Sequence, residues 1–185
     1  MPTRDDLIKQ LSATLVKTKV DKLSRIVKDE NFSLRDLIDL TFHEDKNIAF
    51  RAAWVLENVY LPNPVFYLAD LDYLLARFQD VTYPSCQRHY AKIMRHITRP
   101  KTQALIKQKL QGTDLEPVVE KCFDWLIDPK VLIAVKVFAA EALFNLRHRY
   151  DWIAEELANQ IKFMMRTGTA AIQSRGKKLL EVLEK

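Results

Sequence analysis

The sequence predicts an all-helical chain of about eleven helices stacked as antiparallel pairs in a solenoid, and three observations carry that prediction. Apolar residues recur at three- and four-residue spacing along almost the whole length. The breaks between apolar runs carry helix-boundary residues rather than hairpin turns. Only three glycines, Gly112, Gly168 and Gly176, occur in 185 residues. Tight β-hairpins and phosphate-cradling loops both depend on glycine, so this scarcity speaks against β architecture and nucleotide-binding α/β folds.

Each element has its own boundary chemistry. Thr3 with Asp6 resembles a capping box and opens a helix to about Lys17. A second helix covers about Val20 to Glu30. Ser33 caps a third, with Leu34, Leu37, Ile38, Thr41 and Phe42 at helical spacing. After the polar turn at His43 to Lys46, a fourth runs from Asn47 to about Leu61. Asn63-Pro64 opens a fifth, to about Gln79, with proline at the first helical position. Pro84 opens the sixth, which ends near Thr98 because Arg99 precedes Pro100. A short helix from Gln103 to Gln111 stops at Gly112. Glu116-Pro117 opens the next, to about Ile127, and Pro129 a long one to about Tyr150. Asp151 caps a tenth, to about Arg166, and Thr169 starts the last.

Two of these helices are apolar on more than one side. The Pro129 helix has Val131, Val135, Phe138 and Ala142 on one side and Ile133, Val137, Ala140 and Phe144 on another. The helix from Asn47 has Ile48, Ala52, Val55 and Val59 on one face, and Phe50, Trp54 and Leu61 on the other, interrupted by Glu57. A helix of that kind must be covered by several neighbours, so both belong inside a layered stack. They are also alike: Ala52 to Val59 and Ala139 to Leu146 share the pattern A-A-x-x-L-x-N-apolar at an offset of 87 residues. That is close to two units of about 40 to 47 residues.

Here the sequence resembles the HEAT-repeat family: a turn acid (Asp45), an apolar residue (Ile48), Arg51, then Ala52-Ala53 and Leu56. The resemblance implies a right-handed α-α superhelix with second helices lining a concave, ligand-facing side. It gives one domain over 1–185, with capping helices in 1–32 and stacked pairs in 33–185. The Pro84 unit lacks the alanine pair, and the Pro129 unit has Phe138 where a basic residue is expected beside it.

Charge is unevenly spread. Residues 81–113 carry seven Lys/Arg and no Asp/Glu, while 1–80 sum to −2 and 114–185 to zero, against a net +5. Arg88, Lys92, Arg95 and Arg99 fall on one line of the sixth helix, and Lys101, Lys107 and Lys109 continue the charge. Like charges at i, i+4 repel by a few tenths of a kcal/mol, so the run points to an anionic partner as well as to a solvated face. The second candidate surface is the polar row Arg51, Trp54, Asn58, Glu141 and Asn145 on the two apolar helices, with inter-repeat hydrogen bonding as its structural alternative.

Catalytic chemistry is not legible. His89 and His96 stand two turns apart, roughly 10 Å along a helix, too far to chelate one ion. Cys86 with His89 lacks a third, orienting group, and no nucleophile-elbow sequence occurs. No metal and no cofactor is expected. Both cysteines read as reduced core residues, the start at Met1-Pro2 as carrying no signal peptide, and the compartment as cytoplasmic; no apolar run is long enough to span a bilayer. The reading favours a non-catalytic module binding a protein partner. The alternatives are nucleic acid held at its phosphates by Arg88 to Lys109, and a small enzyme like the DNA-repair glycosylases related to such repeats.

Overall fold

The structure is a computed structural model that describes residues 3–12, 17–29 and 32–185. Its helices are α1 (Arg4–Ser12), α2 (Lys17–Asp29), α3 (Leu34–Leu40), α4 (Lys46–Tyr60), α5 (Leu71–Phe78), α6 (Pro84–Thr98), α7 (Ala104–Gln111), α8 (Glu116–Ile127), α9 (Ile133–Asn145), α10 (Ile153–Met165) and α11 (Ala170–Leu183). A 3-10 segment, Pro64–Asp70, precedes α5, and no strand occurs among the described residues. The expected start at Met1-Pro2, the run of the first helix through 13–16 and the expected end of the second at Glu30 lie outside the described residues.

Local chemistry sets the boundaries. The Thr3 amide donates to Asp6 Oδ2 at 2.8 Å and the Asp6 amide to Thr3 Oγ1 at 3.3 Å, a reciprocal box that satisfies two orphan donors of α1. Ser33 Oγ accepts from the Asp36 amide at the start of α3. Asp45 caps α4, which begins at Lys46, by accepting from the Asn47 amide at 2.8 Å.

Two expected helices are shorter than their apolar patterns. The fifth is a 3-10 segment kinked at Tyr67 (φ −107°, ψ 26°), followed by α5 from Leu71. The ninth begins at Ile133 instead of Pro129, because Asp128 Oδ1 takes the Lys130 amide at 2.8 Å and closes a turn around the proline. It ends at Asn145, where the Leu146 amide already reaches back to the last carbonyls. Gly112 caps α7 at φ −85°, a conformation open to any residue.

Helices α2, α4, α6, α9 and α11 pack side by side in an inner layer, the α6–α9 contact being the most extensive. In the outer layer α1 and α3 lie on α4, α8 on α9, and α10 on α9 and α11; α3, α5, α8 and α10 touch one another only lightly. Ala52, Ala53, Ala91, Ala139 and Ala140 are buried in the inner layer, where their small side chains let adjacent helices close up. Helix α7 lies between the third and fourth pairs, against the 3-10 segment, and lengthens that interval.

Helices α4 and α9 are covered on several sides, as their double apolar faces predict. Their burial is not purely apolar: Glu57, Lys136 and Glu141 are buried, while Ile133 is 37% exposed. Lys136 Nζ donates to the Leu126 carbonyl at 2.8 Å near the end of α8, and burial holds its ammonium below the usual lysine range.

Candidate functional site: the open face of the inner layer

On the side of the inner layer turned away from the outer helices, the 3.6-residue period places Phe50, Trp54, Glu57 and Leu61 on α4. It places His89, Lys92, Arg95, His96 and Arg99 on or just after α6, and Phe138, Glu141 and Asn145 on α9. Lys92, Arg95 and Arg99 of one candidate surface and Trp54, Glu141 and Asn145 of the other, separate in the sequence, therefore share this face. The acids missing from residues 81–113 come from neighbouring helices. Glu57 accepts from His89 Nδ1 at 2.7 Å and from Lys92 Nζ. Glu141 forms ion pairs with Arg95 Nε at 2.5 Å and with Arg175 Nε of α11 at 2.6 Å. The result is a ladder of alternating charge across four adjacent helices.

Burial opposes ionisation of Glu57, but the hydrogen bonds from His89 and Lys92, together with their charge, hold its carboxyl below the ordinary value of 4.5. Next to this ladder, a cavity of about 390 Å³ is lined by Lys92, Arg95, His96, Arg99, Glu141 and Asn145. Leu61 and Phe144 complete it, so the C-terminal ends of α4, α6 and α9 converge there. Their negative dipole ends account for part of the cationic lining. His96 is held below the ordinary imidazole value by burial first, then by Arg99, Arg95 and Lys92.

The other cations of the basic run have different surroundings. Arg88, Arg99, Lys101 and Lys107 are exposed. Lys109 pairs with Asp72 at 2.5 Å on the outer layer, away from the inner face. Of the polar row, Arg51 Nη1 donates to the Leu11 and Ser12 carbonyls at 2.8 and 3.0 Å, tying α4 to the end of α1. Asn58 Nδ2 donates to the Trp54 carbonyl at 2.8 Å. Asn145 Nδ2 bridges to the Arg95 carbonyl and Thr98 Oγ1 at 3.3 and 3.2 Å. Trp54 is half-buried and stacks on Phe50, with ring centroids 5.8 Å apart.

Several site residues are not marked out as such in the sequence, Glu57, His89, His96 and Arg175 among them. Glu57 had a signal, as the acid interrupting an apolar face. His89 and Arg175 had none, because their partners lie on other helices. Cys86 does not engage His89; its thiol donates to the Thr41 carbonyl at 3.6 Å, and burial pushes it up to about 11. Cys86 and Cys122 are both free and buried. No group of three or more potential metal ligands occurs among the described residues, and none of their helices is long and apolar enough to cross a membrane.

Comparison with known proteins agrees with this geometry. A crystal structure of an engineered protein superposes with a TM-score of 0.64 over 97% of this chain and 80% of that one, at 17% identity, a likeness of fold alone. No curated protein matches the chain. The profile of the HEAT repeat domain matches residues 7–183, and the chain belongs to the HEAT-repeat family.

Proposed function

We propose that this chain is a non-catalytic helical-repeat scaffold whose inner face binds a protein partner presenting acidic side chains. The observation that carries the reading is the composition of that face, where guanidinium groups and aromatic rings meet. The Arg95 guanidinium lies 5.3 Å from the Phe138 ring centroid and that of Arg147 4.2 Å from Phe144, while Phe50 and Trp54 stack beside the ladder. Arginine and aromatic side chains are the residues that anchor protein interfaces. A carboxylate entering the cavity would meet Arg99 and the outer sides of Lys92 and Arg95. The free, buried cysteines fit a reducing compartment such as the cytoplasm.

The exposed Arg88, Arg99, Lys101 and Lys107 keep phosphate-backbone binding as the second reading. It is the weaker one, because Lys109, at the end of that basic run, is engaged by Asp72 on the outer layer. Retention of extract proteins on immobilised chain, with and without nuclease, separates the two. Nuclease should leave the retained proteins in place, and Trp54→Ala combined with Arg88→Glu and Arg99→Glu should release them. Retention that disappears with nuclease, together with duplex affinity falling steeply with salt, would replace the protein reading with the nucleic-acid one.

A further inference from the structure

The opposite rim of the stack, where the turn between α5 and α6 lies beside the turn between α8 and α9, holds a second cavity of about 530 Å³. Its lining includes Thr82, Gln87, Lys121, Asp124, Trp125 and Asp128. Gln87 is 7% exposed and Trp125 2%, yet Gln87 Oε1 and Trp125 Nε1 have no hydrogen-bond partner, not even each other. Buried polar atoms in folded proteins are almost always paired, so an orphaned acceptor and an orphaned donor in the lining of one cavity need a reason. Neither atom is required for the packing around it. Phenylalanine would fill most of the indole's place against Phe78, whose ring centroid is 4.9 Å away, and methionine would fill the volume of glutamine.

A peptide group carries one acceptor and one donor, the complement of the Trp125 N–H and the Gln87 Oε1. The rest of the cavity narrows the choice. Asp124 and Asp128 outnumber Lys121, which favours a basic side chain. Ile127, 59% exposed on the same lining, and Leu132, 54% exposed in the adjoining turn, offer an apolar shoulder. We infer that this rim cavity receives an extended backbone segment of a partner protein. A backbone carbonyl takes the Trp125 indole N–H, a backbone amide donates to Gln87, and a lysine or arginine side chain faces Asp124 and Asp128. The inference rests on the protein-binding reading above, but it concerns a different surface and a segment of opposite charge.

The test uses the whole chain labelled with ¹⁵N at its tryptophan indoles, with the three signals assigned through Trp54→Phe and Trp152→Phe. The probes are the blocked single residues N-acetyl-lysine methylamide, N-acetyl-leucine methylamide and N-acetyl-glutamate methylamide at millimolar concentration. The lysine probe should shift the Trp125 indole signal saturably and downfield, the leucine probe more weakly, and the glutamate probe least. Gln87→Met should weaken the lysine probe about fivefold, the loss expected for one hydrogen bond. Asp124→Asn with Asp128→Asn, both on exposed positions that leave the fold intact, should abolish the preference for lysine over leucine. An unmoved Trp125 signal, equal shifts with all three probes, or a cavity that shows only exchange with water would overturn the inference. The glutamate probe alone could also enter the inner face, far from Trp125, so the Trp125 signal reads the rim independently of whether a protein binds there. If extract proteins are retained and the probes fail, only the rim inference falls.

Discussion

Helix α6 carries two buried polar sites that differ in one respect. Toward its middle, His89 and Lys92 are matched by Glu57 from α4. Near its start, Gln87 faces Trp125 across a cavity and neither polar atom has a partner. The first site stabilises the stack, because each group would be left without its water if its partner were lost. The second adds no such pairing within the chain. The same helix thus separates groups that serve packing from groups whose presence packing does not explain.

The largest effect expected from breaking this contrast is at Glu57. Glu57→Leu strands His89 and removes the counter-charge of Lys92, and should lower the unfolding free energy by about 2–3 kcal/mol in denaturant titration. The pH dependence has a definite sign. The Glu57 carboxyl lies below 4.5 in the folded chain, so its contribution is full above the unfolded value and is lost as pH falls through the folded one. The stability gap between the wild type and Glu57→Gln should therefore be flat above pH 5 or so and close in stronger acid.

Gln87→Met should act in the opposite direction, raising stability by about 1 kcal/mol, because removing an orphaned acceptor without leaving a void removes a desolvation cost. A loss of stability there would mean that Gln87 has a partner in solution. Glu141→Gln should cost less, on the order of 0.5 kcal/mol, since Arg95 and Arg175 are both half-exposed and water replaces the lost pairs. The smallest effect is at His96. Its folded value is depressed by burial and by the neighbouring arginines and lysine, so the neutral ring contributes stability that is lost as pH falls through and below 6.5. His96→Asn should flatten the thermal-stability profile across that window.

The layered architecture was legible because its signals are local. Thr3 and Asp6 meet within one turn, and the double apolar faces of α4 and α9 can be read from periodicity. The polar interior was not legible. Glu57 is matched by His89 and Lys92, and Glu141 by Arg95 and Arg175, each from another helix, so the acid-free run looks like an uncompensated positive surface although two of its three inner-face Lys/Arg, Lys92 and Arg95, are paired. Pro129 misled for a different reason: proline after an Asx turn and proline at the first helical position look alike until the fate of the Asp128 side chain is known. The orphaned pair at Gln87 and Trp125 lies beyond sequence reasoning altogether, since a missing partner can be seen only in three dimensions.

Because each inner helix packs on its neighbours in the row and on the outer helices beside it, cooperativity is passed along by hand-to-hand contact rather than through a shared centre. Helix α6, grasping α4 on one flank and α9 on the other, is the keystone, whereas α11 has inner-layer company on one side only. Amide protons should accordingly trade with deuterium soonest in α11 and slowest in α6, so that the molecule wears from its margin inward.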